Sequence, residues 1–391
     1  MIPVSLPTEL QLRKFVAPEI IFGDGARYLA GRYALNIGAK KVLLVTDPGL
    51  LATGWPQQVL KCLDEVDIPY VVFAGVSPNP RDEEVMAGAE IYGNERCNAI
   101  IAVGGGSAID CAKGIGIVGT NTRHIRHFEG VDQVKRPIPP LVCIPTTGGS
   151  SADVSQFAII RDMSTKVKMA IVSKAVVPDV ALIDPSTLTT MPSYLSACTG
   201  LDALTHAIEA YVSNASSPLT DIHAIAAIKL ISQYLEESIK KPEDIVLRSK
   251  VMLGSMEAGL AFSNAILGAV HAMAHSLGGL LDMAHGECNA ILLEPVIDFN
   301  YSSASERYVG VAEAMGIEQQ GMTSNEVKRA LLCEIIRLRK AVRVDNRLSN
   351  IGIGRSDIPQ LARDAIKDVC MATNPRTPTQ NEIEGIYERA L

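Results

Sequence analysis

The sequence Ala99-Ile-Ile-Ala-Val103-Gly-Gly-Gly-Ser107 joins a short apolar run to a glycine-rich turn, and a helical stretch follows over 107–118. Two similar apolar runs, at 41–46 and 70–74, come earlier, and each also precedes a helical stretch. Short, continuously apolar runs rich in β-branched residues are typical of parallel strands covered on both faces. The alternation therefore predicts a doubly wound α/β domain with a parallel sheet flanked by helices. Its other expected helices are 48–65 and 81–94, and its further expected strands are 141–144, 157–160, 168–171 and 180–183.

The second half of the chain has a different pattern. After Asp184-Pro185, helical periodicity dominates and β-branched runs are few. Ser193 is expected to cap the first of these helices, since Pro192 disfavours an earlier start. A chain of 391 residues is also long enough for two domains. We therefore expect an α/β domain over 1–188 and an all-α domain over 189–391. The helices expected in the second are 193–213, 220–238, 245–281 and most of 303–341.

Composition excludes several classes of protein. The net charge of −7 and the lack of a Lys/Arg run argue against a nucleic-acid surface. No uninterrupted apolar run approaches the roughly 18–20 residues that span a bilayer, and the N-terminus does not resemble a signal peptide. The eight cysteines include no CxxC pair, which favours free thiols in a reducing cytoplasm. We expect a cytoplasmic protein with no membrane or nucleic-acid partner.

Histidines are concentrated in a few short motifs. The chain has only seven, and four of them belong to Asp202-Ala-Leu-Thr-His206, His271-Ala-Met-Ala-His275 and Ala284-His285-Gly286. A four-residue spacing places both members of a pair on one face of a helix. One aspartate and three histidines, with a fourth histidine beside them, predict a site for a divalent cation. Such a set suits iron(II), zinc, cobalt or nickel, and it is not a closed structural zinc site. Taken singly, each histidine is as well explained as an ordinary half-buried residue.

Two glycine-rich loops follow expected strands. They are Gly104-Gly-Gly-Ser107, which opens a helix, and Pro145-Thr-Thr-Gly-Gly-Ser150. Glycines let the backbone approach a phosphate, and a helix N-terminus offers free N–H groups, although a lone glycine run also fits a tight turn. Two such loops favour a pyrophosphate-bearing ligand. Asp47 ends the first clear strand, where it can bind an adenosine ribose and repel a 2′-phosphate, or cap a helix before Pro48. The first alternative favours NAD over NADP.

Together these motifs resemble the iron-containing (group III) alcohol dehydrogenase family, and within it the lactaldehyde/1,2-propanediol and 1,3-propanediol enzymes. The likeness covers essentially the full length. The matching motifs are Phe22-Gly23, Thr46-Asp47, Ser77-Pro-Asn-Pro80, Gly104-Gly-Gly-Ser-x-x-Asp110-x-x-Lys113, Pro145-Thr-Thr147, Gly200-Leu-Asp-Ala-Leu-Thr-His206-Ala-Ile-Glu-Ala-Tyr211, Phe262-Ser-Asn264, His271-Ala-Met-Ala-His275 and Asn374-Pro-Arg376.

The resemblance implies a role for each matching residue. It implies that His275 lies beside the metal and the nicotinamide, as a catalytic residue, and that Phe262 and Cys370 line the substrate pocket. The implied metal ligands are Asp202, His206, His271 and His285. The implied cofactor contacts are Asp47, Asn79, Gly105, Gly106, Ser107, Asp110, Thr146, Thr147, Ser150 and Lys168.

Three features depart from the family pattern. The second loop reads Gly149-Ser-Ser-Ala-Asp153 where the family has PTTxGTGSE, which puts its phosphate packing in doubt. Ala284 replaces a proline, so the entry to His285 is expected to be less constrained. Glu287 adds a carboxylate near that histidine, for which we favour the role of a first-turn acid stabilised by the helix dipole.

The function implied is a metal-dependent NAD(H) alcohol dehydrogenase that interconverts a small primary alcohol or diol with its aldehyde by hydride transfer. A cation in such a site favours loss of the alcohol proton, and the nicotinamide accepts the hydride. The resemblance favours iron(II), with zinc as the alternative, and a homodimer or larger homo-oligomer. Related glycerol dehydrogenases and metal-free maleylacetate reductases are disfavoured by the full ligand set. A regulatory paralogue that retains NAD and metal is the alternative from another class.

Overall fold

A computed structural model describes residues 12–165, 167–281 and 283–391. Within these ranges the strands are β1 (Glu19–Phe22), β2 (Val42–Val45), β3 (Tyr70–Phe73), β4 (Ala99–Gly104), β5 (Gly130–Val131), β6 (Leu141–Pro145), β7 (Phe157–Asp162), β8 (Val167–Val172) and β9 (Val180–Ile183). The helices of the first half are α1 (Ala30–Asn36), α2 (Pro48–Leu51), α3 (Trp55–Asp64), α4 (Asp82–Asn94) and α5 (Gly106–Asn121). Those of the second half are α6 (Ser193–Val212), α7 (Pro218–Lys240), α8 (Ile245–Ala265), α9 (Ala269–Leu281), α10 (His285–Asn300), α11 (Ser305–Ala314), α12 (Ser324–Ala341), α13 (Ile358–Ala365) and α14 (Gln380–Ala390).

A parallel sheet forms the centre of the first half. Its six strands are ordered β1-β9-β6-β4-β2-β3, and every neighbouring pair is parallel. Side chains alternate between its two faces, so that Leu43 and Ile100 belong to one buried cluster while Leu44 and Ile101 belong to the other. Burial on both faces explains why these strands are apolar at every position.

The order of the strands locates the cleft. The chain passes from β2 outward to β3, then returns to the other side of β2 with β4. This reversal leaves a crevice at the carboxyl ends of β2 and β4, which is where open α/β sheets bind their ligands. Asp47 follows β2 and the glycine turn follows β4, so both lie at this crevice.

Several details of the first half differ from the sequence expectation. The stretch 48–65 forms two helices because Gly54 adopts a left-handed conformation (φ +85°) between them. Strands β7 and β8 pair antiparallel in a separate three-stranded sheet with β5, outside the parallel sheet. The short strands β1 and β5 were not expected; β1 lies at a sheet edge and is only partly buried, so its pattern is weak.

The second half is helical, which confirms the predicted fold class. Ser193 is the first residue of α6 and not its cap, because Pro192 occupies the cap position. The expected helix 245–281 is two helices that meet at an angle of 101°. At the break Ile266 has φ +61° and ψ −168°, and the Ser213 and Thr373 hydroxyls donate to the carbonyls of residues 265 and 267.

Within the described residues, no single helix is long and apolar enough to cross a membrane. The bent pair α8 and α9 reaches that length and apolar character only when taken together.

Candidate active site

A cleft of about 860 Å³ lies between the carboxyl edge of the parallel sheet and the helical half. All the site residues predicted from the sequence line it, both those assigned to the cofactor and those assigned to the metal and substrate. Its volume is within the range typical of pockets for small ligands and cofactors. The structure thus brings two sets of residues, which belong to different halves of the chain, to one cavity.

Asp202, His206 and His271, which are buried, form a cluster with the partly exposed His285, in which one ligand-type atom from each residue lies within 4.8 Å of those of the other three. Helix α6 presents Asp202 and His206 one turn apart, α9 presents His271, and His285 is the first residue of α10. A Cβ at Gly286 would lie 2.2 Å from the Cys198 carbonyl oxygen, so only glycine lets α10 approach α6 this closely.

Glu209 supports this cluster from behind. Its Oε2 lies 2.6 Å from Nδ1 of His271, and its carboxylate also accepts the backbone N–H groups of Val270 and His271 at the start of α9. A proton on Nδ1 leaves a lone pair on Nε2, the ring nitrogen that faces the cluster. Glu209 was not predicted from the sequence as a site residue, although it lies three residues after His206 on the same helix.

Asn289 lies between the side chains of the cluster, and it too was not predicted from the sequence. Its Nδ2 donates to Oδ1 of Asp202 at 2.5 Å and lies 3.0 and 3.2 Å from Nε2 of His271 and His285. Its position one turn after His285 was a signal in the sequence. The four-residue spacing that identified the other pairs applies here as well.

The cluster is strongly coupled electrostatically. Burial alone would raise the pKa of Asp202, but the surrounding imidazoles of His206, His285 and His271, the last of them hydrogen-bonded to it, outweigh burial and lower that pKa. Burial lowers the pKa of His206 to about 3 and that of His285 well below its usual range. For His271, burial is outweighed by hydrogen bonds to Asp202 and Glu209, which raise its pKa to about 9.

A divalent cation fits this set of donors. Three imidazoles and one ionised carboxylate are the ligands that iron(II) and zinc accept, and burial excludes competing water. Oδ1 of Asn289, a buried atom next to the cluster, has no hydrogen-bond partner among the described residues. Buried polar atoms without partners are costly, and they indicate a site built for a ligand.

His275 lies beside the cluster, with its ring stacked on His285 at a centroid distance of 5.3 Å. Its Nδ1 is 2.8 Å from Oδ2 of Asp368. Burial opposes the ionisation of Asp368, but the charge and hydrogen bond of His275 outweigh it and lower the pKa of that carboxyl. A carboxylate behind a histidine orients the ring and fixes its tautomer. Asp368 was missed, and its only signal was its place two residues before Cys370.

Phe262 and Cys370 form part of the wall next to the histidines. The Phe262 ring stacks on His206 at a centroid distance of 4.3 Å, and both residues are buried. Burial raises the pKa of the Cys370 thiol well above its usual value, so it is a neutral group. This part of the wall is therefore uncharged.

The two glycine-rich loops pack directly against each other. A Cβ at Gly105 would lie 2.9 Å from Cγ2 of Thr147, and one at Gly106 would lie 2.6 Å from Oγ of Ser150. Helix α5 begins at Gly106, so its free N–H groups point into the cleft between the loops. That is an arrangement suited to phosphate groups.

Asp47 and Asp110 each also have a structural task. Asp47 caps α2 by accepting the backbone N–H of Leu50 at 2.9 Å, which confirms the cap interpretation. Its other oxygen faces the glycine turn, 3.7 Å from a Cβ placed at Gly104. Asp110 accepts the N–H of Ile159, and burial raises its pKa to about 6.

The three departures have clear structural outcomes. Ser151 has a left-handed backbone (φ +50°), and its hydroxyl donates to the Ser255 carbonyl at 2.6 Å. Ala284 has φ −57°, an angle that proline also adopts. Glu287 lies in the first turn of α10 and accepts from Asn346 at 2.7 Å, which confirms the first-turn acid interpretation.

Comparisons with known proteins agree with this geometry. Residues 17–185 match the model of the iron-containing alcohol dehydrogenases, and residues 196–391 match that of the C-terminal part of the same family. The chain is 39% identical to 1,3-propanediol dehydrogenase of Citrobacter freundii, over 96% of this chain and 98% of that protein. It is 36% identical to the NAD-dependent methanol dehydrogenase of Bacillus methanolicus, over 96% and 99%. A crystal structure of a 1,3-propanediol oxidoreductase superimposes with a TM-score of 0.95 at 37% identity, covering 97% of this chain and all of that one.

With a parallel-sheet half, a helical half and a histidine cluster in the cleft between them, the chain belongs to the iron-containing alcohol dehydrogenase family. The enzyme is an NAD-dependent alcohol dehydrogenase, as the sequence analysis expected. The comparisons give no support to the alternative of a regulatory paralogue.

Proposed function

We propose that the physiological substrate is a short primary alcohol or diol, interconverted with its aldehyde by hydride transfer to and from NAD. The observation that carries the proposal is the single cleft, which is lined both by the histidine cluster and by the two glycine-rich loops. Relatives named for methanol and for 1,3-propanediol support a small substrate. The buried side chains of Phe262 and Cys370 support it too, since they line the cleft next to the cluster without adding a charge.

The proposed metal ligands are Asp202, His206, His271 and His285, with iron(II) as the preferred ion and zinc as the alternative. When bound there, a divalent cation supplies Lewis-acid polarisation of the substrate oxygen and eases loss of the alcohol proton. Glu209 keeps a proton on Nδ1 of His271 and so orients the ring.

His275 is the proposed group that moves the proton. With Nδ1 held toward Asp368, its Nε2 is the atom that accepts a proton from the alcohol or returns one to the aldehyde. Asp368 is then a positioning residue, because it acts through the imidazole. Phe262 excludes water from the same region by covering one face of His206.

The first half is proposed to bind NAD. Backbone N–H groups at the start of α5 and the neighbouring hydroxyls suit the pyrophosphate, and the Lys168 ammonium adds positive charge. The free oxygen of Asp47 suits a ribose hydroxyl and disfavours a 2′-phosphate. The proposed contacts are Asp47, Asn79, Gly105, Gly106, Ser107, Asp110, Thr146, Thr147, Ser150 and Lys168.

We further propose that the chain has two domains, 1–188 and 189–391, and works in the cytoplasm as a homodimer or larger homo-oligomer. The last strand of the parallel sheet ends at Ile183 and the first helix of the second half begins at Ser193, which supports the boundary. Scattered free cysteines support a reducing compartment. The net charge of −7 gives no support for a nucleic-acid partner.

The test is NADH formation with a panel of short alcohols and diols. Protein purified without oxygen is stripped with chelator and reloaded separately with iron(II) and zinc. We expect metal-dependent turnover that is lost in His271→Ala and kept in His223→Ala, a histidine paired with Glu257 away from the cluster. No turnover of any short alcohol or diol with either metal, with NAD and cation still bound, would overturn the proposed substrate class.

A further inference from the structure

The carboxamide of Asn289 lies among the side chains that the cation needs. Its Nδ2 is 2.5 Å from Oδ1 of Asp202, 3.0 Å from Nε2 of His271 and 3.2 Å from Nε2 of His285. The side chain is fully buried. One amide nitrogen thus contacts three of the four proposed ligands.

The two ends of this amide are bonded very differently. Oδ1 is buried and accepts no hydrogen bond from any described residue, while Nδ2 has several neighbours. A buried asparagine with a purely structural task normally has both ends satisfied, because an unpaired buried polar atom destabilises the fold. The amide is therefore held in place by the cluster and not by its surroundings.

The partners of Nδ2 are acceptors whose lone pairs a cation also uses. Oδ1 of Asp202 is a carboxylate oxygen and can accept an N–H, and Nδ1 of His271 is bonded to Glu209, which leaves Nε2 of that ring to accept one as well. A lone pair directed at an N–H group is not available to a metal. Amide and cation therefore compete for the same atoms.

We propose that Asn289 is a positioning residue that holds the ligand side chains in the metal-free protein and must release them when the cation binds. The proposal rests on the metal site of the proposed function. Release requires little rearrangement, because the two ends of a carboxamide have nearly the same shape. Rotation about the last side-chain bond turns the N–H groups away and brings Oδ1 toward the positive charge.

The competition predicts in which direction the cation affinity changes when the amide is removed. If the amide stabilises the metal-free protein, it weakens the observed cation affinity, because binding must first break its hydrogen bonds. Removing the amide should then tighten binding. A residue that supports the bound cation would have the opposite effect, since its loss weakens binding.

The experiment titrates zinc into chelator-stripped wild-type, Asn289→Ala and Asn264→Ala enzymes, and measures the Tm of each with and without zinc. We expect zinc to bind Asn289→Ala about 10-fold more tightly, as loss of one charged hydrogen bond predicts. The rise in Tm on loading should be larger than in the wild type. Asn264 bonds the backbone of Val16, so its variant should lower both Tm values equally and leave the affinity unchanged.

Unchanged or weaker zinc binding by Asn289→Ala would overturn the proposal. Failure of the wild-type enzyme to bind zinc or iron(II) would instead overturn the metal site itself, and with it the proposed function. If stripped Asn289→Ala does not fold, Asn289→Ser, which keeps a polar group, is compared in the same way and is expected to show the same sign.

Discussion

The Oε2 atom of Glu209 lies 2.6 Å from Nδ1 of His271, and the carboxylate also accepts two backbone N–H groups at the start of α9. One side chain on α6 therefore fixes both the beginning of the neighbouring helix and the orientation of an imidazole on it. A Cβ at Gly268 would lie 2.8 Å from Oε1 of Glu209, so this approach also depends on a glycine before α9.

Glu209→Gln should weaken cation binding by about 10- to 100-fold, the usual effect of losing a residue behind a histidine ligand. A glutamine has one acceptor oxygen, so either the ring or the start of α9 loses its partner. Titration of stripped protein with zinc measures the effect. The matched control is Glu257→Gln, whose partner His223 lies outside the cluster and should leave the affinity unchanged. Equal affinities for both variants would contradict the role of Glu209.

Gly106→Ala should weaken NADH binding by about 10-fold. The new Cβ would lie 2.6 Å from Oγ of Ser150, and relieving such an overlap costs on the order of 1–3 kcal/mol. Fluorescence titration with NADH measures the effect, and cation affinity should not change. In a Ser150→Gly background the same substitution should be less costly, because the overlapping atoms are gone. An equal loss in both backgrounds would show that the two loops do not constrain each other.

Ala284→Pro should stabilise the protein by about 0.4–1 kcal/mol. Its φ of −57° suits the proline ring, and proline reduces the freedom of the unfolded chain. Thermal unfolding of the metal-loaded enzyme measures the change. Ala290→Pro, in the interior of α10, is the contrasting variant and should cost about 3 kcal/mol. A lower Tm for Ala284→Pro would mean that the chain enters α10 differently from this structure.

Asp153→Asn should gain stability relative to the wild type as the pH rises from about 4 to 6. Burial raises the pKa of Asp153 to about 6, although a backbone hydrogen bond and Lys113 oppose this. The native state therefore holds a proton that the unfolded chain, with a pKa of about 4, has released, and wild-type stability falls across this window.

The relative gain should reach about 3 kcal/mol at pH 7, because the two pKa values differ by about two units and each unit is worth about 1.4 kcal/mol. Urea unfolding of both proteins at pH 4.5 and pH 7, under identical metal loading, measures it. The control variant is Asp345→Asn, which removes an exposed carboxylate. If Asp153→Asn instead gained stability relative to the wild type as the pH fell, the raised pKa of Asp153 would be contradicted.

The sequence alone determined the fold class and the members of the cluster that follow local rules. Apolar runs identified the strands because burial on both faces demands them, and the four-residue spacing of Asp202 and His206 follows from helix geometry. Capping and glycine signals were less decisive. The break between α8 and α9 was missed although Gly268 lies in it, because an isolated glycine is also tolerated inside a helix.

Only the tertiary structure decided which groups support the site. Glu209 lies 62 residues from His271 along the chain, Asn289 lies 87 from Asp202, and Asp368 lies 93 from His275. Contacts at such separations depend on how α6, α9 and α10 pack and on the bend between α8 and α9. Local sequence patterns carry no information about that packing, because it results from the summed burial of the whole helical core.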